Sequence, residues 1–141
     1  MKRTALFGAA VAIILAGGTA FAASDFIAEA KSHCGDMVVT GKEVINHGQM
    51  NHTAETLKYL YEMKNHAEQC YVRIEKGMFH SQSEEIRKHG KDGISHLSPA
   101  LGAMNEAVKH GEAGNHEELV KNAKEAMKHA VEANTHVKAM K

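Results

Sequence analysis

At a separation of 63 residues this chain repeats itself, and the repeat narrows its fold more than any other feature. Glu43-Val-Ile-Asn-His-Gly48 is echoed by Glu106-Ala-Val-Lys-His-Gly111. In the same register His33 maps to His96, His47 to His110, His66 to His129, Glu29 to Asp92 and Glu62 to Glu125. Within each half the apolar residues recur at intervals of three and four, the spacing of one helix face. Phe26, Ile27, Ala30, Cys34, Met37, Val38, Val44 and Ile45 form the first stripe. Leu57, Leu60, Tyr61, Ala67, Tyr71, Ile74 and Met78 form the second. Ile94, Leu97, Leu101, Met104 and Val108 form the third, and Leu119, Ala123, Ala126, Ala130, Ala133, Val137 and Met140 the fourth. Gly48 and Gly111 suit the position just past a helix end, and Asn51 or Asn115 then caps the next helix. The pattern predicts an all-α protein, an up-down-up-down four-helix bundle built from a duplicated helical hairpin. The hairpins cover about 25–76 and 83–140, joined by Gly77 to Ser83.

The third helix is expected to be the weak one. Gly90, Gly93 and Gly102 each cost up to about 1 kcal/mol against Ala. Pro99 removes a backbone donor, unless Ser98 and Pro99 restart the helix as cap and first residue. The fourth helix buries mostly Ala. On apolar grounds the second hairpin is therefore marginal, and a bound ion could supply part of its order.

Ahead of the hairpins lies an address. Lys2-Arg3, the apolar run from Ala5 to Leu15, and Ala20-Phe21-Ala22 form a secretory signal over residues 1–22, cleaved to leave a domain of 23–141. The apolar run is short for a membrane span. Of 17 basic residues, loss of Lys2 and Arg3 leaves 15 against 17 acidic ones, a net charge of −2. An exported protein in the periplasm, monomeric and free of the membrane after cleavage, is the expectation. This balance argues against a nucleic-acid binder that works through a basic field. The absence of Trp and a 5% aromatic content argue against base stacking. Nothing in the sequence identifies a protein partner.

Histidine is heavily used, with eleven residues. Many lie seven or fourteen apart, which keeps one helix face but moves about 10 Å along the axis per seven residues. Two nitrogens on one ion lie about 3–4 Å apart, since metal–nitrogen bonds are near 2 Å. Histidines seven apart on one helix therefore belong to different sites, and the second ligand must come from across the hairpin. In an antiparallel hairpin, residues at one level share a constant sum of residue numbers. His47 and His52 flank the first turn and share their sum with His33 and His66. In the second hairpin His96 with His129, and His89 with His136, share a sum within one of that of His110 with His116. Five rungs thus set a histidine opposite a histidine, on axes about 8–10 Å apart.

Eight of the eleven histidines also carry a carboxylate four residues earlier on the same helix: Glu29/His33, Glu43/His47, Glu62/His66, Glu85/His89, Asp92/His96, Glu106/His110, Glu125/His129 and Glu132/His136. One such pair is ordinary helix pairing. The set, combined with the rungs, reads as carboxylates that ligate the same ion or orient the imidazole. On the third helix the histidines lie off the apolar stripe, toward solvent or a shallow flank.

Imidazole suits several divalent metals, and affinity peaks at Cu(II), so copper leads, with Ni(II), Zn(II) and Fe as alternatives. Several sites of moderate affinity are expected. Binding should weaken as pH falls through about 6.5, because protonated imidazole cannot ligate. Met37 and Met140 follow His33 and His136 by four and would suit Cu(I), although most methionines read as packing. Cys34 and Cys70 can face one another across the first hairpin. In an exported protein the default is a disulfide, worth roughly 3–4 kcal/mol; the alternative is a Cu(I) thiolate site with His33 and His66.

No covalent haem motif, Glu-x-x-His pair, zinc-protease motif or phosphate loop occurs. No nucleophile sits in a recognisable context, so nothing supports an enzyme.

The segments Gly93-Ile-Ser-His-Leu97, Asn105-Glu-Ala-Val-Lys-His-Gly-Glu-Ala-Gly-Asn-His116 and Asn122-Ala-Lys-Glu-Ala-Met-Lys-His129 resemble the small metal-binding protein family. Its members are exported, histidine-rich four-helix bundles with a seven-residue repeat. The resemblance is clearest over 85–140 and weaker over 25–80, and it implies sequestration or buffering of copper and other divalent metals in the periplasm. This chain departs from the pattern in its two cysteines, more aromatic first half and fewer histidines. Two other functions fit the same fold: a bundle holding non-covalent haem through Met/His ligands, or a metal-independent periplasmic chaperone or envelope-stress adaptor with an exposed apolar groove.

Overall fold

Helical periodicity with few breaks produces four long helices. The computed structural model describes residues 22–141. The leader assigned to 1–22 lies, apart from Ala22, outside the described residues. Helix α1 is Ala23–Gln49, α2 is Thr53–His80, α3 is Glu84–Glu112 and α4 is His116–Ala139. Consecutive helices run antiparallel. α1 packs on α2 and α4, and α3 packs on α4 and α2, which closes a four-helix bundle. Among the described residues no helix is long and apolar enough to cross a membrane.

The duplication is a packing repeat as well as a sequence repeat. The buried positions of α1 from Ile27 onward (27, 30, 34, 37, 41, 44 and 48) are those of α3 (90, 93, 97, 100, 104, 107 and 111) in the 63-residue register. Those of α2, from Thr56 to Gly77, return from Leu119 to Met140. Leu60, Met63 and Ile74 from the first hairpin and Leu97, Met104 and Leu119 from the second belong to one continuous core. Each such side chain contributes about 1.5–3 kcal/mol on burial.

Several expectations change. Tyr61 was placed on the second stripe, yet it is 47% exposed and donates to Glu112 Oε1 at 2.5 Å, tying α2 to α3. That hydrogen bond, with lesser help from burial and the Glu112 charge, holds the phenol above its ordinary pKa. Gly48 and Gly111 do not end their helices; both are buried inside them. The left-handed turn positions are Asn51 and Gly114, and the cap of α2 is His52. Asn115 does cap α4, its side chain accepting from Glu118 N. Ser83 caps α3 by accepting from Ile86 N at 3.3 Å.

Nor is α3 broken or restarted. It runs through Pro99, which lies with Ser95 on the exposed face, where water can reach the carbonyl that Pro99 leaves without a donor. Its glycines divide by environment. At Gly111 an added Cβ would lie 2.6 Å from Leu57 Cδ2 and 3.2 Å from Leu119 Cδ1, whereas at Gly102 it would meet nothing within 4 Å. Gly111→Ala should therefore lose about 1 kcal/mol net, overpacking outweighing helix propensity, and melt roughly 3–5 °C lower. Gly102→Ala should gain up to about 1 kcal/mol. Thermal melts of the two variants check this contrast.

Cys34 and Cys70 are fully buried and form a disulfide with Cα atoms 5.3 Å apart, joining α1 to α2. Their sulfurs are joined to one another, so the Cu(I) thiolate alternative is set aside. Met37 and Met140 are likewise fully buried and pack in the core.

Candidate metal centre

On each hairpin the wide apolar face turns inward, and the next positions around each helix meet across the seam between the two helices. Histidine occupies those positions. His33, His66, His89, His96, His129 and His136 are all half-buried. Four of the five expected rungs form. Ring centroids lie 5.8 Å apart for His33/His66, 5.6 Å for His47/His52, 6.1 Å for His89/His136 and 6.2 Å for His96/His129.

Three of these rungs gain a carboxylate. His33, Asp36 and His66 form one cluster, His89, Asp92 and His136 a second, and His96, His129 and Glu132 a third. Within each, one nitrogen or oxygen from every residue lies within 4.8 Å of the others. In the third, Glu132 Oε2 is 2.9 Å from His96 Nδ1 and 3.4 Å from His129 Nδ1. In the second, Asp92 Oδ2 is 3.9 Å from His136 Nδ1. The second and third clusters adjoin, with the His96 and His136 rings stacked at 5.4 Å and 11°.

The nitrogens are the decisive atoms. Nδ1 of His33, His66 and His89 is removed from solvent and makes no hydrogen bond, and the buried Nδ1 of His129 faces only the Glu132 carboxylate, 3.4 Å away. A buried polar nitrogen without a partner costs about 1–3 kcal/mol. Such atoms in native folds call for an explanation. A cation beside the carboxylate would satisfy the nitrogens and balance the charge together. Two imidazoles and one carboxylate form a donor set that zinc and Fe(II) sites use, with coordination positions left open, and imidazole also suits Cu(II) and Ni(II).

The carboxylates differ from those expected. In each cluster the acid follows a histidine of its own helix by three residues: His33/Asp36, His89/Asp92 and His129/Glu132. Three residues advance about 4.5 Å along a helix and four about 6 Å, so the i+3 acid stays nearer its rung. Asp92 and Glu132 were paired with His96 and His136 but serve the neighbouring rungs. Asp36 was missed. Its signal, His-x-x-Asp/Glu, occurs four times, and three of those are clusters. Glu29 pairs instead with Arg73, Nε to Oε2 at 2.8 Å. Glu62, Glu85, Glu106 and Glu125 are exposed and join none of these clusters, and Glu106 sits 3.4 Å from Lys109.

The fifth rung does not form. His116 turns to the other hairpin, its Nδ1 2.9 Å from Thr53 Oγ1 and its Nε2 2.8 Å from the Gly48 carbonyl. With both nitrogens engaged it is a structural tie between the two turns, and His110 joins none of the clusters. At the first hairpin's own turn His47 Nδ1 and His52 Nδ1 are 3.4 Å apart, a spacing that suits two ligands of one ion, and Tyr59 stacks on His47. His80, taken as a linker residue, ends α2 and stacks on Phe26.

Comparison with protein-family models, curated proteins and solved structures returns no match to this chain.

Proposed function

We propose that this chain is an exported, periplasmic metal-binding bundle that sequesters or buffers copper-like divalent ions along the seams of its two hairpins, in the manner of the small metal-binding proteins it resembles. The observation that carries this reading is the set of four buried Nδ1 atoms, three without a partner and the fourth facing only Glu132, every one of them in a cluster that also holds a carboxylate. Side chains meant only for solvation would not be turned into a seam and left without partners. The open, shallow clusters favour exchange over permanent retention, as buffering requires. Copper is the first choice because affinity for nitrogen and oxygen ligands peaks at Cu(II).

The test is direct. The purified protein, stripped with a chelator, is equilibrated with Cu(II), Ni(II) or Zn(II), desalted and analysed for metal. Three ions per chain are expected, one for each carboxylate-backed cluster, with weaker uptake at His47/His52. Competition among the three metals ranks them, and retention no greater than that of a histidine-free bundle would sink the idea.

A further inference from the structure

The 63-residue register sets three residues of the first hairpin against the second hairpin's outermost cluster. His89, Asp92 and His136 correspond to Phe26, Glu29 and Arg73. The correspondence is structural, since the buried positions of all four helices repeat in that register. In the second hairpin Asp92 on α3 reaches His136 on α4 at 3.9 Å. At the matching level of the first, Glu29 on α1 reaches Arg73 on α2 at 2.8 Å. Phe26, the counterpart of His89, is buried and stacks on His80.

We infer that Arg73 is a resident cation. Its guanidinium occupies, permanently and without metal, the place where the second hairpin takes a divalent ion. A guanidinium keeps its charge at every working pH and has no lone pair to offer a metal, so it both neutralises Glu29 and closes the rung to ions. The two hairpins then differ in kind. The first holds one ion at His33/Asp36/His66 beside a built-in positive charge, whereas the second holds an adjacent pair of ions, linked by the stacked His96 and His136 rings. Metal dependence is then greater in the second hairpin than in the first.

The metal half of this inference rests on the proposed function, and the experiment separates the two. Cu(II) bound per folded chain is measured for the wild type, for Phe26→His/Arg73→His, and for the reciprocal His89→Phe/His136→Arg, with circular dichroism to confirm helix content. The first variant should bind one ion more than the wild type and the reciprocal one ion fewer. An unchanged count in folded Phe26→His/Arg73→His overturns the inference while leaving the function standing. If that variant does not fold, the reciprocal decides: an unchanged count there overturns the inference. A wild type that binds nothing beside a Phe26→His/Arg73→His variant that binds one ion would overturn the function and, with it, the matching of Arg73 to an ion of the second hairpin. Absence of binding by every protein overturns both.

Discussion

His96→Gln or His129→Gln alone should remove the ion of the third cluster, and the double variant should lose little more. Both imidazoles meet one carboxylate, Glu132, with Nδ1 atoms 2.9 and 3.4 Å from its Oε2, so one ion placed there needs both rings. Loss of an outer-shell partner alone commonly costs about 10–100-fold in metal affinity, and loss of a ligand should cost at least about 100-fold. Two changes at one shared site are strongly non-additive. Calorimetric titration with Cu(II) should therefore show one site fewer in all three variants, with His33/Asp36/His66 unaffected as an internal control. Two equal, additive losses would mean that each histidine binds alone and that the rung is not a site.

Cys34→Ala/Cys70→Ala should be the most damaging change to the fold itself. The disulfide spans a sequence separation of 36 between two fully buried positions. In the chain-entropy view its loss costs roughly 3–4 kcal/mol, or about 10–15 °C in melting midpoint for a domain of this size. Thiol reduction of the wild type should lower the midpoint by a similar amount. A shift below roughly 3 °C in both experiments would show that packing alone holds the first hairpin. The second hairpin has Leu97 and Ala133 in the corresponding places, both fully buried, and is untouched by reductant.

The helices and the rungs were legible because both follow from period and direction alone. Spacing of three and four sets the inward face, and antiparallel pairing sets which residues share a level; hence His33/His66, His89/His136 and His96/His129. What spacing could not supply is the choice among neighbours on one face. Asp36 and Glu29 both lie near His33, and a basic residue across the seam, Arg73, decides which of them is free to face an ion. His116 shares its level with His110, but Thr53 and the Gly48 carbonyl lie beside it in the folded bundle and capture it. Those competing partners come from the other hairpin, where no pattern within one hairpin can reveal them. The same holds for α3: the cost of Gly90 and Gly111 is visible in the sequence, but the Met78 and Leu57 side chains that fill the space above them are not.

Every rung joins the two helices of a single hairpin, α1 with α2 or α3 with α4, and none bridges the halves. The connection between the halves is only Ser81 to Ser83. Two chains that traded hairpins through that connection would form an intertwined dimer in which each ion site is built from the same residues as before. What changes hands in such an exchange is the His116 tie and the Tyr61–Glu112 bond, which would then link one chain to the other. Metal uptake at the proposed sites would thus be the same in either state of assembly.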